Sequence, residues 1–366
     1  MKVICTQENL KKGLWIVSNI AGKNVSLPIL NNILIRAENG MLVFISTNLE
    51  IGIKTIVRGK IEKTGSLAVQ ARLLNDYVGL LDNKNLELIK KENNLLIKNE
   101  SQETIIIGQE ADEYPIIPEI EDKEGVMIKN KELKEALSQV VFSASYNDTR
   151  PELSGVLFIF DGETIRFVAT DSYRLAEKVI KLPQKNKKDV IFKIIPLRVL
   201  QEIMRILEEE GETKIYFSEN QVVFRKAETV IISRLIEGNY PDYKQIIPET
   251  YLTKAEVERM EFIKLIKTAS LFSRAGINDV LLEFDKTGKI NISAANTQSG
   301  ENKSIINTDI KGEKNSIVFN YKYLLDGLLN ISSKRVFIEV TSADTPAILR
   351  PSQDDSYLYL IMPIRR

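Results

Sequence analysis

The chain has 366 residues, 43% hydrophobic and 27% charged, with 50 Lys plus Arg against 50 Asp plus Glu, so its formal net charge is zero. It contains no histidine and one cysteine, Cys5, which excludes His-dependent nucleophile systems, imidazole bases, His metal sites, an internal disulfide and a thiolate zinc cluster. No apolar run approaches the roughly 18 residues of a membrane span, no secretion-type start is visible, and no Gly-rich phosphate loop appears; the expectation is a cytoplasmic protein of two or three domains without cofactor or metal.

Taken in order, the chain opens on a helical face of Leu10, Leu14, Val17 and Ala21, followed by strands around an Asn39-Gly40 turn. A second helix is expected over Gln70–Leu81, with Leu74, Val78 and Leu81 on one face, and then an edge segment ETIIIGQE containing Thr104 and Ile106. Pro115 and Pro118 mark a linker. The residues KELKEALSQVVFSAS, 131–145, place Leu133, Ala136, Leu137, Val140, Val141 and Ala144 at helical spacing. A hairpin follows, turning at Asp161-Gly162. Pro196–Glu208 reads as a helix with Pro in its first turn and Leu200, Ile203, Met204 and Leu207 inward. A second linker carries Pro241 and Pro248. A third unit then brings Phe262, Leu265, Ile266 and Ala269, a hairpin at Gly288, and a helix over Asn320–Ile331 with Leu324, Leu328 and Ile331.

The turn glycines Gly40, Gly162 and Gly288 lie 122 and 126 residues apart, and the second helices keep the same spacing. This predicts an α+β protein of three similar domains, 1–122, 123–245 and 246–366, each with two helices packed on antiparallel strands. No pair of carboxylate, Lys or Tyr side chains stands out as catalytic, so a non-enzyme is expected. The helical windows carry only a small basic surplus, which i,i+4 pairing on solvated helices largely explains.

Six segments resemble the bacterial DNA polymerase III β-subunit family, the sliding clamps: LPILNNILI (27–35), RPELSGVLF (150–158), ATDSYRLA (169–176), EGNYPDY (237–243), FNYKYLLDGL (319–328) and the terminal YLYLIMPIRR. They fall in all three units and in the family's order. The resemblance implies a head-to-tail homodimer whose six domains close a ring, with helices lining the hole and strands outside. Such a ring encircles double-stranded DNA without reading its sequence and tethers the catalytic subunit of the replicative polymerase. The implied partners also include the clamp loader and other DNA polymerases and repair proteins that dock through linear motifs, with no membrane role.

Carried over residue by residue, DNA contacts fall on Lys23, Asn24, Arg72, Asn147, Arg150 and Arg198, Asn24 standing where some relatives have a basic residue. The partner-peptide pocket falls on Leu153, Thr170, Ser172, Tyr173, Arg174, Leu175, Pro241, Ile246, Ile277, Asn320, Tyr323, Pro346, Leu360, Ile361, Met362, Pro363, Ile364 and Arg365. Ile277 replaces an aromatic residue of some relatives, and Gln245 a basic one. For the dimer interface the candidates are Thr104 and Ile106 on an edge strand, and Leu271 and Phe272, Leu271 lying across the helical wheel from Phe262 and Ala269. Two other readings stay open on the residues alone: a three-repeat scaffold that never meets DNA, and an enzyme working through carboxylates.

Overall fold

The structure is a computed structural model, which describes residues 1–22, 26–117, 124–146, 149–182 and 190–365. Two compact units emerge, Met1–Lys131 with Arg205–Leu235, and Glu132–Met204 with Ile236–Arg366.

In the first unit thirteen strands form one sheet. Asn32–Glu38 and Met41–Thr47 make a hairpin whose turn residues Asn39 and Gly40 both take positive φ, 51° and 75°, the conformation for which an Asn-Gly pair is suited. Ile51–Val57, from the first repeat, pairs with Thr229–Arg234 from the second, setting Ile53 opposite Ile231 and the Thr55 and Thr229 hydroxyls 2.8 Å apart. Two repeats therefore contribute to one sheet.

Helix α1, Gln7–Ser18, buries Leu10, Leu14 and Val17, and Thr6 Oγ1 caps it by accepting from the Asn9 amide at 3.2 Å. It ends earlier than the periodicity predicts. The Ser18 hydroxyl donates back to the Leu14 carbonyl at 2.6 Å, and Ile20 rather than Ala21 is buried beyond the helix end. Helix α2, Ala71–Leu80, is flanked by Gln70 and Leu81 as caps. Strand alternation fixes which face meets α1: Ser46 donates to the Val17 carbonyl at 2.6 Å, and Gly13 sits against Phe44 and Val57. Val43 and Ile45 consequently point to the opposite face, where they cluster with Leu34, Ala68, Ala111 and Tyr114. The Tyr114 hydroxyl donates to the Asn32 carbonyl and accepts from the Thr47 amide. Burial pushes its pKa up to about 12.

The second unit holds a nine-stranded and a four-stranded sheet. Helix α3, Asn130–Val140, buries Leu133, Ala136, Leu137 and Val140, after which Val141–Ser143 tightens into a 3-10 turn, so the expected helix to Ser145 stops short. Gly155–Phe160 and Thr164–Thr170 form the predicted hairpin, with Gly162 at φ 89°. Pro196 closes the strand Ile191–Pro196 opposite Gly155 instead of opening a helix; helix α4 runs from Leu197 to Ile206. Proline at a strand end costs no ladder donor. Arg174–Lys181 pairs with Tyr357–Ile361, Ala176 opposite Tyr359, which repeats the shared-sheet arrangement of the first unit.

Helices α5, Arg259–Ser270, and α6, Tyr321–Leu329, carry side-chain caps from Glu258 and Asn320. The four-stranded sheet runs Gly300–Asn307, Lys289–Asn296, Asp279–Asp285, Asn315–Asn320, and Gly288 turns its hairpin at φ 81°. All three glycines of the predicted repeat thus occupy left-handed turn positions.

Candidate functional site

The ATDSYRLA segment builds a tight turn before the strand Arg174–Lys181. Asp171 Oδ1 accepts from the Tyr173 and Arg174 amides, both at 3.0 Å, while Thr170 Oγ1 accepts from the Ser172 amide and donates to the Arg174 carbonyl. Ser172 sits at φ 77° within this turn. The backbone is thereby held without a regular ladder, and the side chains of Ser172 and Tyr173 face outward, Tyr173 at 61% exposure.

Arg174 is the tie. Its Nε donates to Asp171 Oδ2 at 3.0 Å and its Nη1 to Asp326 Oδ2 on α6 at 2.5 Å. The guanidinium lies 4.8 Å from the Tyr323 ring centroid and 5.6 Å from that of Phe142, and Tyr173 stacks on Tyr323 at 6.2 Å. Two carboxylates of its own chain occupy it, so Arg174 braces the site. Asp326 and Phe142, which complete this brace with Asp171, escaped sequence reasoning, because contacts across long sequence separation leave no local pattern; Asp171 stood within the ATDSYRLA segment, but nothing in that segment marked it as the partner of Arg174.

Next to the brace, Met362 packs on an apolar cluster that includes Leu157, Val168, Leu175, Tyr243 and Leu360, together with Tyr240 and Ile247. The C-terminal run is pinned through its backbone, Met362 N to the Tyr173 carbonyl and Ile364 N to the Val318 carbonyl. Within the expected pocket set, Leu153, Thr170, Leu175, Leu360 and Ile361 are buried. Ser172, Tyr173, Pro241, Ile246, Tyr323, Pro346, Met362 and Pro363 reach the surface at least in part. Asn320 serves as the α6 cap, accepting from the Lys322 amide. Ile277, Ile364 and Arg365 line a separate cavity of about 620 Å³ with Arg274 and Asp279. Here Arg274 Nη2 donates to Asp279 Oδ2 at 2.5 Å; burial opposes ionisation of Asp279, but the hydrogen bonds and charge of Arg274 prevail and hold its carboxyl below the usual range.

Of the expected DNA contacts, Arg72 on α2 and Arg198 on α4 are exposed, Arg72 lying 3.7 Å from Asp76. Arg150 donates to Glu152 Oε1 at 3.0 Å and to the Ser172 hydroxyl at 3.3 Å, so it joins the Asp171–Arg174 turn. Lys23, Asn24 and Asn147 lie outside the described residues. A pair not singled out from sequence is Trp15 and Arg205: the guanidinium stacks 4.5 Å from the indole and donates to the Trp15 and Ile16 carbonyls. The available signal was the chain's one tryptophan, placed off the Leu10, Leu14 and Val17 face.

The strand Glu103–Gln109 pairs along one edge with Asn94–Lys98 and along the other only at Gly108 and Gln109. From Glu103 to Ile107 that second edge has no partner strand among the described residues. Ile106 is buried and Thr104 half-buried; the outward apolar side chains are Ile105 and Ile107, the latter 81% exposed. Leu271, just past α5, is 74% exposed as expected, and Phe272 is half-buried. Gly300–Asn307 also ends its sheet with one open edge and an exposed Ile305.

The DNA polymerase III beta subunit models match along the chain: the N-terminal domain over residues 1–118, the central domain over 127–242 and the C-terminal domain over 244–365. The chain belongs to the DNA polymerase III beta subunit family. A beta sliding clamp of Staphylococcus epidermidis is 32% identical over 351 residues, covering 93% of each chain. The crystal structure of a Bacillus subtilis DNA polymerase sliding clamp superposes with a TM-score of 0.96 at 30% identity, covering 100% of this chain and 99% of that one. A Pseudomonas aeruginosa DNA polymerase III beta subunit gives a TM-score of 0.95 at 25% identity, covering all of both chains. The fold is thus that of a sliding clamp, and no helix among the described residues is long and apolar enough to cross a membrane.

Proposed function

We propose that the protein is a non-catalytic processivity factor: a head-to-tail homodimer whose ring encircles double-stranded DNA and tethers the catalytic subunit of the replicative polymerase. Membership of the sliding-clamp family carries this reading. The chain would work as three domains, 1–122, 123–245 and 246–366, in the cytoplasm. The open edge at Glu103–Ile107 and that of Gly300–Asn307 supply two unpaired ladders of the kind that join subunits edge to edge. Leu271 and Phe272 stand beside the second, the Phe272 ring lying about 4 Å from where a side chain on Gly300 would begin.

Contact with DNA needs few charges. Duplex DNA carries one charge per about 1.7 Å of axis, so a handful of exposed cations such as Arg72 and Arg198 gives a weak, sequence-blind contact that permits sliding. Partner tails, including those of the clamp loader and of other polymerases and repair proteins, would lay apolar side chains on Met362, Pro363, the exposed Tyr173 and the half-buried Tyr323. Primer extension on a singly primed circular template tests the tether: product length per binding event is expected to rise when the protein is added with its clamp loader and polymerase. Unchanged product lengths would refute it.

A further inference from the structure

A cavity of about 680 Å³ opens in the first unit, on the sheet face turned away from α1. Leu34, Val43, Ile45 and Ile56 from the first repeat and Val230 and Ile232 from the second floor it. Polar side chains share the lining with these aliphatic ones: the cations Arg36, Lys54 and Arg225, the carboxylates Glu38 and Glu228, Asn39 and Tyr216.

Strand register explains why Arg225 lacks a carboxylate. Tyr216 lies opposite Val223 as Glu339 lies opposite Ile348, and Val223 and Ile348 lie in turn opposite Ile232 and Leu360. Tyr216 therefore holds the place of Glu339, and Arg225 that of Arg350. Arg350 Nε donates to Glu339 Oε2 at 3.3 Å. Among the described residues Arg225 meets only a phenol, its Nη2 reaching the Tyr216 hydroxyl at 3.4 Å, and its buried Nε has no partner. Arg36 forms no ion pair among the described residues. Glu38 and Glu228 share the rim, but they are exposed and neither is paired with the arginines.

We propose that this cavity binds an extended peptide segment carrying one acidic side chain between aliphatic ones, with the carboxylate received by Arg225 and Arg36. A buried guanidinium donor facing no acceptor is costly, and an entering carboxylate removes that cost through charge-assisted hydrogen bonds. Beside the buried Leu34, Val43 and Ile45, the half-buried Ile56, Val230 and Ile232 would keep their remaining surface wet under an inorganic anion, whereas a peptide's apolar side chains would cover it. Nucleic acid is disfavoured by the aliphatic side chains between the cations and by the two rim carboxylates, Glu38 and Glu228.

The test is a methyl NMR titration of the full chain with the probe acetyl-Val-Ile-Glu-Leu-Val-amide. Saturable shifts are expected at the methyls of Ile45, Ile56 and Val230. Affinity should fall about tenfold or more for the glutamine counterpart of the probe, and similarly in Arg225→Met and in Arg36→Leu. Absence of saturable shifts, equal affinity for the glutamine peptide, or the same methyl shifts from inorganic phosphate or a duplex oligonucleotide would each overturn the proposal. DNA retention by the protein is a separate readout, so failure here and failure of the clamp reading are distinguishable.

Discussion

Two residues show how closely the region around Arg174 and the C-terminal run is built. Gly327 lies in α6, where alanine would ordinarily add helix stability, yet a methyl group there overlaps the Tyr359 ring. That ring is held on three sides: it is fully buried, its hydroxyl donates to the Tyr323 carbonyl at 2.8 Å, and it packs 5.5 Å from Phe142. Overpacking of about 1–3 kcal/mol therefore outweighs a propensity gain of about 1 kcal/mol. Gly327→Ala is expected to lower the denaturation midpoint, and an unchanged or raised midpoint would show that the ring can move. Asp279 offers a pH test. Its carboxyl is held low in the fold, so the stabilisation is present above the ordinary Asp range and is lost as pH falls through the depressed value. Arg274→Ala should raise the Asp279 titration midpoint toward the ordinary Asp range or above it, as seen by carboxyl NMR, and remove this part of the acid sensitivity of stability. At the same scale Cys5 is buried, and desolvation pushes its thiol up to about 12. It should resist iodoacetamide in the native state near neutral pH and react once the chain is unfolded.

At the scale of elements, periodicity made the helices and hairpins legible: the faces of Leu133, Ala136, Leu137 and Val140, and the three left-handed turn glycines, stood out in the sequence because each is set by neighbours within one turn of chain. What stayed hidden depends on partners far away. Nothing local announces that Ile51–Val57 continues into Thr229–Arg234, or that Arg174 is braced by Asp326, 152 positions on. The edge segment shows a sharper limit. In ETIIIGQE every second side chain turns outward, and a one-residue choice of phase decides which; Ile105 and Ile107 face solvent while Ile106 enters the core. The subunit-contact expectation shifts accordingly. Ile105→Lys with Ile107→Lys, or Leu271→Ala with Phe272→Ala, should convert a dimer to monomers in sedimentation at micromolar concentration. A dimer that persisted in both would place the seam elsewhere.

At the scale of the molecule, the absence of histidine excluded imidazole-based chemistries and the balanced charge announced no nucleic-acid partner, but neither could name a use. The repeat supplied the architecture, and the six family segments supplied the meaning. A ring holds DNA by topology, so its grip should depend on the template having no ends. The direct measurement is gel filtration of the protein after its clamp loader has placed it on nicked circular plasmid DNA. The protein should co-elute with the circle at high salt and be lost when the plasmid is cut once to a linear form. Equal retention on circular and linear DNA, or none on either while the loader is active, would contradict the account.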